Sequence, residues 1–332
     1  MPDASLWLLV VVISLAVIFD FANGFHDAAN AIATVVSTKV LSPRVAVSMA
    51  ALMNVLGALS GTAVAKLVGS GIVDPEAVIL STVAAGLIAA IVWNFLTLYF
   101  GLPVSSSHSL IGGVAGAAIA AGGFNVILLS GVEKVLLGML FSLVLGVFGG
   151  FLVMLSIYWL FRRISPSRVN AIFGRLQILS ATFMAFSHGS NDAQKTMGII
   201  ALALFASGHI ATFYIPFWVI LLAATAMGLG TSLGGWRIIR TLGTRIVHMR
   251  PVNGFAAESA AATVVEAASR LGIPLSTTHT ITCAILGQGA TRRLSAVRWG
   301  VARRIIFAWI LTFPFVGILG WLLSKLFKLV FQ

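Results

Sequence analysis

Two aspartates stand in near-copies of one polar stretch: residues 21–31 read FANGFHDAANA, and residues 186–196 read FSHGSNDAQKT. On a helix, Asn23, Asp27, Asn30 and Thr34 share one face, as do His188, Asp192 and Lys195, with Asn191 close beside them. An ionised aspartate inside apolar sequence costs at least about 2.5 kcal/mol by insertion scales, so each must face a partner or a watery cavity. Carboxylate and amide oxygens are hard ligands that suit Na⁺ or an exchangeable proton, and they do not suit direct contact with an anion. The plainer reading is that each Asp caps a helix break or holds an inter-helix hydrogen bond. Duplication at equivalent points of the chain favours a site.

The second duplicated stretch suits an anion. GLPVSSSH at 101–108 returns as GIPLSTTH at 272–279. Pro103 and Pro274 precede the hydroxyl clusters Ser105, Ser106, Ser107 and Ser276, Thr277, Thr278, and an apolar run rich in small residues follows each cluster. Proline is favoured in the first helical turn and Ser or Thr at the cap, so each stretch is predicted to open a half-helix. Its free N–H groups, hydroxyl donors and positive dipole end can hold phosphate or sulfate. One such cluster alone reads better as ordinary capping; the second copy favours two helix starts facing one oxyanion. His108 and His279 follow at identical places and could donate to the anion, titrate with it or bond a neighbouring helix. Glu258, just upstream of the second cluster, is a further candidate because an intramembrane carboxylate is functional by default. Asn54 and Asn94 read as helix-to-helix hydrogen bonds.

The frame that must position these residues lies in the membrane. The chain has 332 residues, 59% hydrophobic and 9% charged, with a mean hydropathy of +1.05, which excludes a soluble domain of ordinary composition. It divides into about ten membrane elements, near 6–38, 44–69, 77–100, 103–122 and 132–161, then 169–206, 212–236, 254–271, 274–290 and 299–330. The first element of each half is too long for a simple span and carries Asn23-Gly24 or His188-Gly189, where broken or re-entrant helices are predicted. The predicted fold class is an all-α polytopic membrane protein of two inverted-topology repeats. The first repeat is 1–161, a basic linker at 162–175 overlaps the start of the second, and the second repeat is 169–332. The opening apolar segment has no basic flank or small-residue cleavage site, so it reads as a retained span.

A net charge of +12 would suggest nucleic acid in a soluble chain, but its distribution here argues against that partner. Fifteen of the 21 Lys and Arg fall in alternate loops, from Lys39 and Arg44 to Arg303 and Arg304, while the 70–76 loop carries Asp74 and Glu76. The positive-inside bias then places those basic loops in the cytoplasm and both termini outside, in a plasma or inner membrane. Cys283, alone, forms no internal disulfide and reads as a packing residue.

GFHDAANA at 24–31, HGSNDAQK at 188–195, PVSSSH at 103–108 and PLSTTH at 274–279 resemble the paired signatures of the inorganic phosphate transporter (Pit) family, in its bacterial low-affinity permease type. The resemblance covers nearly the whole chain, including the closing stretch Arg303 to Pro314. It implies secondary-active symport of inorganic phosphate with a cation, with no cofactor and no catalysis. By that resemblance Asp27, Asn30, Asn191 and Asp192 serve the coupling ion, as Na⁺ ligands if coupling is to sodium, while Ser105 to Ser107 and Ser276 to Thr278 hold phosphate. Asn23, His26, Lys195 and Glu258 complete the candidate coupling-ion set, and His108 and His279 the phosphate set. Sodium-driven members commonly read G-A-N-D where this chain has Gly24-Phe25-His26-Asp27. A neutral imidazole offers nitrogen and titrates near neutrality, which favours the proton as coupling ion. Asn191-Asp192 keeps a sodium site open in the second half; a divalent metal travelling with phosphate, and a homodimer, stay open too. The rivals are a permease for another tetrahedral anion such as sulfate, a passive anion channel, and an intramembrane metal-dependent enzyme built on His26, Asp27, His188 and Asp192.

Overall fold

A computed structural model describes residues 2–331, with side-chain surroundings for residues 6–329. The described chain is helical: α1 Pro2–Ser37, α2 Pro43–Ala58, α3 Ala63–Ser70, α4 Leu80–Phe100, α5 Ser106–Gly122 and α6 Leu129–Leu160, then α7 Pro166–Ala206, α8 Phe217–Leu233, α9 Trp236–Arg240, α10 Pro251–Arg270, α11 Thr277–Ala290 and α12 Trp299–Phe331. The second six repeat the first six in kind and order, and even the short 3₁₀ turns at Phe124–Val126 and Leu294–Ala296 occupy matching places. Each of the ten sequence elements falls on one or two of these helices. Five helices are long and apolar enough to cross a membrane, and two bent pairs, α2–α3 at 73° and α8–α9 at 60°, raise the number to seven. The remaining three are the 17-residue α5, the 14-residue α11, and α10, which carries Glu258, Glu266 and Arg270. This is a multi-pass α-helical membrane protein.

The α4–α5 and α10–α11 pairs are hairpins. The open end of the first is closed by an antiparallel bridge between Val73 and Ile127 and by Asp74 N–H donating to Val126 O (2.9 Å) and Leu128 N–H to Ile72 O (3.0 Å). The open end of the second is closed by Arg298 N–H donating to Ile246 O (3.0 Å). Helix α6 shows that the two ends lie on opposite sides of the molecule. Gly131, at its start, packs on Gly71 beside the first open end, and Met154 and Ile157, near its finish, pack on Val252 beside the second. A helix of 32 residues runs about 48 Å between them. The hairpin tips, 101–105 and 271–276, therefore approach the middle from opposite faces.

The halves are interleaved. α5 packs along α12 and α11 along α6, so the half-helix of each half is covered by the last helix of the other. Small residues make these crossings close: Gly113 and Gly116 meet Gly320 and Gly317, while Gly146 and Gly150 meet Thr280 and Ala284. The tip of the first hairpin is held by Trp309, whose indole N–H donates to Pro103 O at 2.8 Å.

One expectation fails here. α1 and α7 run unbroken through Asn23-Gly24 and His188-Gly189, and the bends fall instead between α2 and α3 and between α8 and α9. The glycines serve contact: a Cβ on Gly24 would meet the backbone of Met227 and Thr231 in α8, and one on Gly189 would meet the backbone of Asn54 in α2. Gly230 and Gly57 return the same close approach from the other side, against Phe21 and Phe186. A glycine without its Cβ is what lets two backbones touch at membrane depth.

Gly189→Ala is therefore expected to destabilise the fold by about 1–3 kcal/mol, because the added methyl lands within 2.6 Å of Asn54 Cα and backbone must move. Gly174→Ala, on the same helix but with nothing within 4 Å of the added atom, is expected to leave stability unchanged or slightly raised. Thermal unfolding of the two purified variants in one detergent checks this; equal midpoints would mean that the α2–α7 crossing is not tight.

Candidate functional site

The two aspartates and the two hydroxyl clusters come together at the hairpin tips. Ser106 Oγ donates to Asp27 Oδ2 at 2.9 Å, and Thr277 Oγ1 donates to Asp192 Oδ2 at 3.2 Å. These are equivalent bonds of the two halves, since Thr277 stands 171 positions after Ser106 and Asp192 stands 165 after Asp27. A second equivalent pair crosses between them: Asn30 Nδ2 donates to Thr278 Oγ1 at 2.9 Å, and Lys195 Nζ donates to Ser107 Oγ. Lys195 also donates to Asp192 Oδ1 and, at 3.2 Å, to the carbonyl of Leu275. Thr278 Oγ1 lies 3.4 Å from Asp27 Oδ2, and Asn30 Nδ2 3.2 Å from Thr277 Oγ1. Every one of these side chains is 3% exposed or less, so the cluster is sealed from the surface in this conformation.

The helix starts are built as their residue types require. Ser105 and Ser276 are the N-caps of α5 and α11, accepting from the N–H of His108 (3.2 Å) and His279 (3.1 Å). Their hydroxyls thus hold the turn, and the next two residues of each cluster face the aspartates. The first-turn N–H groups have no helical acceptor, which is the arrangement that receives oxyanions. The side chains of His108 and His279 lie edge to face, 4.7 Å between centroids, with His108 stacked on Phe313 at 4.8 Å and His279 on Trp309 at 3.9 Å. They bring the two helix starts into contact and make no hydrogen bond with the aspartates.

The histidines of the first motif do reach them. His26 Nδ1 is 2.5 Å from Asp27 Oδ1, with Thr97 Oγ1 3.3 Å from its other nitrogen. His188 Nε2 is 3.4 Å from Asp192 Oδ2, and its Nδ1 is 3.0 Å from Asn54 Oδ1. Asn54 in turn donates to Thr231 at 2.8 Å, tying α2, α7 and α8 as its sequence position suggested. Asp27, His188 and Asp192 offer three ligand atoms within 4.8 Å of one another, a set that could hold a metal ion. Asn30 Oδ1 and Asn191 Oδ1 are buried without a partner among the described residues, which fits oxygens kept for a hard cation. Asn191 turns its amide nitrogen to Ser269 (2.9 Å).

Three candidates stand apart. Glu258 is enclosed by Thr34, Gln177 and Ser180, which all donate to it, and does not join the aspartates. Asn23 Oδ1 has no partner among the described residues. Asn94, expected to bond a neighbouring helix, has neither side-chain atom paired there. The sequence reading passed over Asp20, fully buried on the same face of α1; a carboxylate inside an apolar span was the available signal.

The sequence profile of the phosphate transporter family matches residues 23–320. The chain is 48% identical over 315 residues to a protein of Rhizobium meliloti (strain 1021) described as a probable low-affinity inorganic phosphate transporter, covering 94% of each chain. It is 44% identical over 332 residues to a protein of Bacillus subtilis (strain 168) with the same description, covering 99% of this chain and 100% of that one. The fold is similar to a solved structure titled the sodium-dependent phosphate transporter, with a TM-score of 0.90, 27% identity, and coverage of 97% of this chain and 99% of that one. These relatives are transport proteins, which removes the intramembrane enzyme as a rival. On the match to its profile and on both relatives, the chain belongs to the phosphate transporter family.

Proposed function

We propose that the chain carries inorganic phosphate by symport with a cation, the anion held between the starts of α5 and α11. The observation that carries this reading is the meeting of two helix N-termini at one pair of buried aspartates. Ser106, Ser107, Thr277 and Thr278 offer hydroxyls to the anion, and the first-turn N–H groups add aligned dipoles. Ser105 and Ser276 act through the helix starts they cap, and the His108–His279 contact braces those starts against each other.

Charge sets the order of events. With the histidines neutral, Asp27, Asp192 and Lys195 sum to one negative charge. Lys195 is fixed on Asp192, so Asp27 is the carboxylate with no permanent cation. Phosphate is repelled from it until a proton or metal cation binds first, because like charges at this depth repel far more strongly than in water. We infer that the proton fills this role, received by His26 and Asp27, whose Nδ1 and Oδ1 lie 2.5 Å apart. The likeness to a sodium-dependent transporter supports cation coupling in general, and Asn30, Asn191 and the aspartates would be the ligands of Na⁺.

The orientation belongs to the same proposal. The loops bearing Arg162, Arg250, Arg292, Arg293 and Arg298 line one cavity of about 620 Å³, which supports a single basic face in the cytoplasm and both termini outside, in a plasma or inner membrane. Residues 1–161 and 169–332 are then the two inverted repeats, joined by the 162–175 linker.

The deciding experiment is phosphate uptake into proteoliposomes under separately imposed Na⁺ and proton gradients; accumulation driven by neither would end the symport reading. Asp27→Asn and Asp192→Asn are each expected to abolish uphill accumulation while the protein still inserts, since the amide keeps shape and removes the charge. Ser106→Ala and Thr277→Ala are each expected to raise the phosphate concentration for half-maximal uptake about tenfold or more, a hydrogen bond to a charged group contributing roughly 1.5–3 kcal/mol. An unchanged half-saturation in both would reduce these hydroxyls to helix starts. His26→Asn is expected to make uptake less dependent on an imposed proton gradient and more dependent on external Na⁺; responses identical to wild type would move the proton elsewhere.

A further inference from the structure

Asp20 lies on α1 with 0% exposure, and neither carboxylate oxygen has a hydrogen-bond partner among the described residues. It precedes Asp27 by two turns, about 10 Å along the helix axis. Its polar neighbours are Asn23 of α1 and Thr196 of α7. Asn23 Oδ1 and Thr196 Oγ1 are likewise buried, each residue 1% exposed, and likewise without a partner. The charged groups that face it are Asp192 and Lys195, and the Lys195 ammonium is already held by Asp192, Ser107 and the Leu275 carbonyl. Four unsatisfied oxygens so placed inside a membrane protein call for an occupant.

We propose that Asp20, Asn23 and Thr196 form a second cation site, separate from Asp27 and Asp192, that takes a single alkali ion, Na⁺. The donor set is oxygen alone, which selects a hard cation. One carboxylate matches one positive charge, whereas a divalent ion would leave an uncompensated charge in a low dielectric. The site belongs to one half only. The positions equivalent to Asp20 and Asn23 in α7 are Ala185 and His188, so it is no second copy of the duplicated cluster. The inference goes beyond symport at Asp27, and the ion is bound whether protons or sodium drive transport. Because Asp192 lies within electrostatic reach, an ion here also weakens the negative field that phosphate meets.

The test is direct binding of radioactive Na⁺ to the purified protein in detergent, with choline as the replacement salt, at fixed pH and without phosphate. Asp20→Asn is expected to lower the number of Na⁺ held per chain by one. Thr196→Val, which keeps shape and loses the hydroxyl, is expected to raise the Na⁺ concentration for half-saturation about tenfold or more, and it serves if Asp20→Asn does not fold. Asp27→Asn is expected to retain this ion. The proposal is overturned if wild type holds no Na⁺, if both Asp20→Asn and Thr196→Val bind as wild type does, or if the ion is lost from Asp27→Asn alone. Uptake measured in parallel separates the two readings: Na⁺ binding intact with no uphill phosphate accumulation counts against symport and leaves this site standing.

Discussion

A carboxylate sealed in the middle of a membrane-spanning helix must be answered by side chains, because its own backbone has no donor to spare. Asp27 and Asp192 both stand under that constraint, and each is answered by a hydroxyl from a hairpin tip. Much of the architecture follows. The hairpins must reach the centre from opposite faces, their starts must be capped by Ser105 and Ser276, and their flanks must be covered where they leave the surface. α12 and α6 provide that cover, and glycines at the crossings let them come close enough. The touching rings of His108 and His279 then keep the two starts at one fixed separation.

The frame is twofold in outline and unequal in chemistry. Asn30 and Lys195 occupy equivalent places and make equivalent bonds, yet only one carries charge. His26 approaches Asp27 from the preceding residue, whereas Asp192 receives His188 from one turn earlier. The greatest contrast lies away from the centre. Glu258 is wrapped by three polar donors, while the equivalent Leu87 sits in an apolar cluster with Val12 and Ile199. One side of the molecule is therefore dry where the other is polar, and inverted copies of a fold become inequivalent routes for an ion.

What could be read from the sequence was what residue type alone decides. Asp27, Asp192, Ser106 and Thr277 announce themselves because charge or hydroxyl groups in apolar surroundings have few uses, and their repetition fixes which ones belong together. The helix starts were legible because Pro and Ser or Thr have a strong positional preference. Gly24 and Gly189 were read as breaks because the same absent Cβ serves a bend or a close crossing, and only the neighbour across the interface distinguishes them. The direction of the His108 and His279 rings depends on Phe313 and Trp309, some 30 to 205 positions distant along the chain, and no local pattern carries it. Asp20 was available to the same argument as Asp27 and was missed because no copy of it recurs in the second half.

The exchange of covering helices between halves has a consequence for biosynthesis. As the chain emerges from the ribosome, α5 is made well before α12, the helix that encloses it. Until α12 has been made, its three serines and a histidine have neither their aromatic brace nor a closed wall toward lipid. α12, made long after α5, is thus the helix that closes the first half-helix toward lipid. Damage to α12 would thus be felt at the start of α5, synthesised long before it.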